Sequence, residues 1–226
     1  MMEQQLRDAG FAFVQAPEMA QVFDADGMTG WDAFAREWDD LGLDTYMADG
    51  GRYRKRRHAA YAVSAAGVER KPPQPHYQSR DYNALNGGVE RWFAPVADSP
   101  ALFAVLRTCH DLFNRLTPLP AWHAEVHQFR IEARPGAEGR PTPEGMHRDG
   151  VDWVLVLMVN RENIAEGTTT IHALDGTTLG SFTLRTPMDA ALVDDNRVFH
   201  GVTPVRAEDP ARPAHRDVLV VTFRRA

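Results

Sequence analysis

His147, Asp149 and His200 are the residues of this 226-residue chain whose types and spacing point most directly to chemistry. Two imidazoles and one carboxylate supply one face of an octahedron. That donor set suits non-heme Fe(II) oxygenases, which keep the remaining positions open. Residues i and i+2 of an extended strand share a side, so His147 and Asp149 can address one ion while Arg148 turns away. The third ligand must come from a distant segment brought alongside, as His200 would be. Against this stands the plainer reading of satisfied or surface polar residues, because nine histidines allow many chance combinations. His215-Arg216-Asp217 repeats the pattern, but no histidine follows it, so the same triad in the same order cannot form there. It also looks like a kinase catalytic loop, but the Gly-rich and Asp-Phe-Gly elements are missing.

The surroundings favour the first motif. Pro143-Glu144-Gly145 leads into His147, Gly150 follows Asp149, and His200 stands before Gly201 at an expected strand end. His123 and His127 form a competing HxxxH pair with a shared face. Their Glu stands at the third position of HAEVH, so the HExxH of zinc metalloproteases is not met. His127 is expected near the iron site or the substrate.

The elements that must position these residues divide the chain. Trp31, Phe34, Ala35, Trp38 and Leu41 recur at helical spacing, with Thr29 as the expected cap. Residues 102–116 form the clearest amphipathic helix, with Ser99 as N-cap and Pro100 in the first turn. From Trp122 onward the pattern turns to strands: residues 123–131, 151–159, 168–174, 181–184, 190–193 and 217–223, with a Pro- and Gly-rich loop over 134–145. The expected fold is α+β, a double-stranded β-helix (jelly-roll or cupin-like) core with N-terminal helices packed outside. It is read as a single domain over residues 1–226. Residues 1–117 would be mainly helical support on the substrate side, and 118–226 the jelly-roll catalytic core.

Composition narrows the function. A net charge of −6 disfavours nucleic acid and anionic membranes as partners. Cys109 is the only cysteine, which excludes an intrachain disulfide and fits a reducing cytoplasm. No run reaches the ~20 apolar residues of a membrane span. The sequence assigns no oligomeric state. The basic run of residues 52–57 (RYRKRR) resembles a nucleic-acid patch. The acidic remainder of the chain favours a strand edge with solvated charges, and contact of one or two arginines with an anionic substrate stays open.

A 2-oxoglutarate co-substrate needs an anchor for its distal carboxylate, which the planar fork of arginine holds best. Arg206 and Arg212 lie in a Pro-rich loop, and Arg224 and Arg225 at the C-terminus. Arg216 opens an apolar strand and is the expected anchor. A free amino acid would also need a cation and an acceptor, for which Arg130 and Gln128 are candidates beside their alternative of structural pairing.

The blocks PTPEGMHRDGVDWVLVLMVNREN, HQFRI, DDNRVFHGVTPV and HRDVLVVTF resemble the bacterial 2-oxoglutarate/Fe(II) dioxygenases that include L-isoleucine 4-hydroxylase. Weaker echoes extend the likeness over most of the chain. The resemblance implies His147, Asp149 and His200 as iron ligands and Arg216 as the 2-oxoglutarate anchor. It also implies Fe(II), 2-oxoglutarate and O2 as reaction partners in the hydroxylation of a small substrate, a free aliphatic L-amino acid being the expected type. Where the family suggests a Gly-Gly-Glu-Ser-like stretch, this chain has Glu166-Gly167-Thr168-Thr169-Thr170, so isoleucine itself is not carried over. A carrier-bound or peptide substrate, or a non-catalytic jelly roll that binds or senses, are the alternatives.

Overall fold

Ser99 starts the longest helix as its sequence requires: its hydroxyl accepts from the Leu102 amide at 3.2 Å, and Pro100 fills the first turn. The computed structural model describes residues 1–23 and 29–226. The chain opens with α1 (Met2–Ala9), β1 (Phe11–Val14), α2 (Ala16–Val22), α3 (Trp31–Arg36) and a 3₁₀ turn (Glu37–Asp40). Two strands follow, β2 (Arg54–Ser64) and β3 (Gly67–Arg70), and then α4 (Pro100–Leu116). The remainder is strands: β4 (Ala121–Ala133), β5 (Trp153–Glu162), β6 (Ile164–Glu166), β7 (Thr169–Ala173), β8 (Thr178–Phe182), β9 (Ala190–Asp194), β10 (Val198–Val202), β11 (Val205–Ala207) and β12 (Ala214–Arg225).

A seven-stranded sheet in the order β1-β9-β5-β12-β4-β2-β3 is antiparallel at every pairing. A three-stranded sheet, β10-β7-β8, and the pair β11-β6 complete the jelly roll. The first half is less helical than its apolar spacing suggests. β2 is the longest element before α4 and pairs with β4 along its whole length, so the catalytic sheet recruits chain from the supposed support region. In place of one capped helix over residues 31–41, the chain forms α3 and the 3₁₀ turn, with Gly30 rather than Thr29 at the cap position.

Alternation along the strands gives the large sheet two unlike faces. Trp122, Ala124, Val126, Leu155, Leu157, Leu219, Val221 and Phe223 form one apolar layer with Leu102, Leu106 and Phe113 of α4 and Trp38. The other face carries Glu125, His127, Phe129, Ile131, Arg216, Val218, Val220 and Thr222 into a cavity. The basic run obeys the same rule. Arg54 and Arg56 point into the cavity, whereas Lys55 and Arg57 pair with Glu132 and Asp40 on the outer side. β2 is not an edge, and these charges do not form a solvated patch.

Period two also removes Gln128 and Arg130 from the substrate side. Gln128 donates to Glu37 at 2.7 Å. Arg130 grips Asp217, its cross-strand neighbour, with two 2.8 Å hydrogen bonds and reaches Asp39 with a third contact. Both side chains tie the outer face of β4 to the N-terminal segment, and neither lines the cavity. Asp217 is 1% exposed, so removing its partner leaves a buried carboxylate uncompensated. Arg130→Met should lower unfolding free energy by about 3 kcal/mol. The double variant R130M/D217L should regain most of that loss in urea denaturation. A single variant as stable as wild type would contradict the structural role.

Candidate metal centre and its cavity

The first HxD does not lie in a regular strand. His147 makes an isolated two-way bridge with His200, each backbone amide donating to the other's carbonyl at 2.9 Å. His200 sits at the centre of β10 rather than at a strand end. The bridge brings the two rings to a centroid separation of 4.6 Å. Asp149 faces both, with Oδ1 at 3.6 Å from His147 Nε2 and Oδ2 at 3.4 Å from His200 Nε2. The three donor atoms lie within 4.8 Å of one another.

The donor set fits a divalent metal. His147 Nδ1 lies 3.0 Å from the Gly145 carbonyl, which fixes its proton there and leaves the Nε2 lone pair facing Asp149. Burial opposes the charge of Asp149, but hydrogen bonds and charge from the two imidazoles hold its carboxyl well below the usual range. Burial likewise disfavours a charged His147, yet Asp149, Glu144 and the Gly145 carbonyl outweigh it and raise the imidazole to about 9.

Asp195, a residue outside the HxD…H pattern, organises the centre. Its buried carboxylate accepts from the amides of Asp149, Gly150 and Val151 at 2.9, 2.8 and 3.1 Å. It also stands 3.9 Å from His200 Nδ1. The signal was the second Asp of DDNRVFH, five residues before His200. Gly150 turns the chain with φ +79, and a Cβ there would meet the Tyr82 ring at 2.6 Å. Gln78 donates to the Asp149 carbonyl and carboxylate at 3.2 and 3.3 Å and accepts from Asn83 at 3.1 Å. No motif announced this connection.

The centre opens on a cavity of about 620 Å³, within the ~300–1,000 Å³ usual for small-molecule sites. Arg216 lines it from β12 and is 2% exposed. Its guanidinium has no hydrogen bond or ion pair among the described residues, and Nε is wholly buried without a partner. Burial, with the charge of Arg161, lowers it to about 10, which leaves it charged at neutral pH. In the second HxD the outer residues face away and the central one faces in. The Glu166 to Thr170 stretch does not line this cavity; Thr170 borders a smaller one.

His127 lies in the cavity wall within a second cluster, His58, His76, Glu125 and His127, whose donor atoms also lie within 4.8 Å of one another. These groups already satisfy each other. Guanidinium has only donors, so Arg56, 2.9 Å from His127 Nδ1, fixes the ring proton on Nε2 toward Glu125. Lys71 acts alike on His123 Nδ1 at 2.8 Å, turning its Nε2–H toward Glu125 Oε1 at 3.4 Å. His58 and His76 stand 3.0 and 2.6 Å from Glu125 Oε2. The HxxxH pair thus shares a face, as expected, but serves a carboxylate.

Asp195→Asn would set an amide N–H against the backbone donors around Asp149. Affinity for Co(II), followed by titration, should fall roughly 10–100-fold; an unchanged constant would remove Asp195 from the centre. The histidine cluster predicts a pH dependence. Burial and the Arg56 charge push folded His76 down to about 4, and burial also lowers His58 and His127. Unfolded histidines titrate near 6.5. The unfolded chain therefore binds more protons between these values, so stability should fall as pH drops from 6.5 toward 4. Each proton taken up on unfolding contributes about 1.4 kcal/mol per pH unit. Urea unfolding should show this slope, and His76→Asn should reduce it; equal stability at both ends would refute it.

The 2OG-Fe dioxygenase family model matches residues 35–222. Curated relatives include 3(1)-hydroxy-L-isoleucine 4-dioxygenase of Pantoea ananatis (strain AJ13355), 24% identical over 159 residues covering 67% of this chain. L-isoleucine-4-hydroxylase of Bacillus thuringiensis is 29% identical over 156 residues, covering 66%. The matched region spans 64% of the length of each of these relatives. The crystal structure of a bsmA homolog from Methylobium petroleophilum PM1 matches with a TM-score of 0.89 and 37% identity, over 99% of this chain and 91% of that one.

Proposed function

The chain belongs to the 2OG-Fe dioxygenase family, and from that premise we propose that it is an Fe(II)- and 2-oxoglutarate-dependent dioxygenase that hydroxylates a free aliphatic L-amino acid. The observation that carries this reading is the opposed pair of His147 and His200 facing Asp149, with the unpartnered Arg216 on the floor of the same cavity. His147 Nε2, His200 Nε2 and one Asp149 oxygen would hold Fe(II). Bound iron supplies the activation of O2 that oxidises 2-oxoglutarate to succinate and CO2 and inserts one oxygen atom into a substrate C–H bond.

The chain's own work is positioning. The Gly145 carbonyl holds the His147 tautomer, and Asp195 fixes the backbone that presents Asp149. Arg216 would pair with the distal carboxylate of 2-oxoglutarate through its planar fork. Val218, Val220, Val154 and Val156 give the cavity an apolar wall, which suits an aliphatic chain and excludes water from its C–H bonds. The two curated relatives named for isoleucine and hydroxyisoleucine support a substrate of this class.

Under anaerobic conditions, Fe(II) and 2-oxoglutarate together should give a metal-to-ligand charge-transfer band. His147→Ala should abolish it, and persistence of the band would sink the ligand assignment. Arg216→Met should keep the band but raise the 2-oxoglutarate concentration for half-formation roughly 10–100-fold, the value of a charge-assisted contact.

A further inference from the structure

Arg91 is a buried cation with nothing to hold. It is 2% exposed, lines the cavity, and has no hydrogen bond or ion pair to its guanidinium among the described residues; Nε is wholly enclosed. The neighbouring arginines are engaged. Arg54 donates to Asp44 at 2.8 Å, and Arg56 donates to His127 and lies over Phe93 and Phe129 at 4.2 and 4.7 Å. Arg91 enters from a different wall than Arg216. It ends the cover segment 76–91, where its backbone bridges His76, whereas Arg216 belongs to the sheet floor. One 2-oxoglutarate offers one distal carboxylate, so a second free guanidinium calls for a second anion.

The same cavity holds an anion with one oxygen unsatisfied. Glu144 Oε2 is buried without a partner, and Oε1 lies 3.7 Å from His147 Nε2. Of the other two carboxylates on the cavity wall, Asp149 faces His147 and His200, and Glu125 is occupied by His58, His76 and His123. Arg91 and Glu144 form no ion pair with each other, although each carries a buried atom without a hydrogen bond. An opposite-charge pair left open across one cavity is the complement of a molecule carrying both charges. Resting on the dioxygenase reading, we infer that Arg91 takes the α-carboxylate and Glu144 the α-ammonium of a zwitterionic substrate. Recognition of both ends restricts the site to free α-amino acids and rejects their amides, N-acyl derivatives and carrier-bound forms, because each modification removes one charge and leaves a buried group unpaired.

Calorimetric titration of the anaerobic protein loaded with Fe(II) and 2-oxoglutarate tests this, using L-isoleucine, L-leucine, L-valine and L-methionine as probes. The tightest binder is then compared with its primary amide and its N-acetyl derivative. Arg91→Met should weaken the free acid roughly 100-fold while leaving the already weak amide nearly unchanged. Arg91→Lys should recover part of the loss, since it restores charge without the fork. Glu144→Gln should weaken the free acid and leave the N-acetyl derivative nearly unchanged. Arg91→Met should also melt no lower than wild type, because it removes an unpaired buried charge; a structural arginine would lower the melting temperature. Equal losses for acid and amide in Arg91→Met would overturn the inference. So would N-acetyl binding as tight as that of the free acid, or no binding of any free acid by wild type. Absence of the charge-transfer band would instead bring down the iron and 2-oxoglutarate reading, while the calorimetric comparison still judges Arg91.

Discussion

The two-residue period of three adjacent strands, β2, β4 and β12, is the constraint on which this molecule depends. Every charge in them has to go to one face or the other. One face meets α4 and must be apolar where it touches, as Leu219, Val221 and Phe223 are. The opposite face gathers Arg54, Arg56, Glu125, His127 and Arg216 around a cavity. A register slip of one residue would bury those charges under the helix and expose the apolar row. The continuous pairing of β4 with both neighbours makes that slip expensive, so the cavity's chemistry and the core's stability are specified by the same register.

Backbone, more than side chains, builds the metal centre from that platform. The reciprocal bridge between His147 and His200 sets the ligand rings side by side, and Asp195 gathers three amides to curl the chain around Asp149. Neither device needs the metal. The centre is therefore preorganised: the distances of 3.4 and 3.6 Å between imidazole nitrogens and carboxylate oxygens leave room for an ion between them. The same carboxylate, with Glu144 and the Gly145 carbonyl, raises the His147 imidazole.

The sequence made the jelly roll legible where strands were long and apolar, as in β5 and β12, and made the helix of α4 legible through its cap and stripe. It exposed the triad because HxD is a local pattern with a chemical meaning. It showed β2 only as a strand edge, because RKRRHAAY alternates charge with charge and carries no apolar contrast; its two faces differ only in what they meet. Gln128 and Arg130 share a face, as their spacing requires, but spacing alone could not say which face looked inward. Gln78 and Arg91 were invisible for another reason. Their importance lies in partners far along the chain, or in the lack of any, and neither leaves a mark on neighbouring residues.

Unpartnered charge is where this fold departs from its own rules. Other buried charges have ionic partners: Arg130 has Asp217, Arg54 has Asp44, and Glu125 has its histidines. A buried charge without a partner costs free energy that folding alone does not return. Arg216, Arg91 and Glu144 all have unsatisfied atoms, and all three line one cavity beside the metal ligands. Such groups persist in a marginally stable protein when something outside the chain completes them. On the proposed reading, two guanidiniums and one carboxylate would meet the charges of two molecules bound together, a dicarboxylate anchored at one end and a zwitterion held at both. On that reading the dicarboxylate's remaining end is directed to the metal, and the two molecules together would meet the unsatisfied atoms of Arg216, Arg91 and Glu144. Stability forgone at these buried charges would thereby be returned as selectivity for the molecules that pair with them.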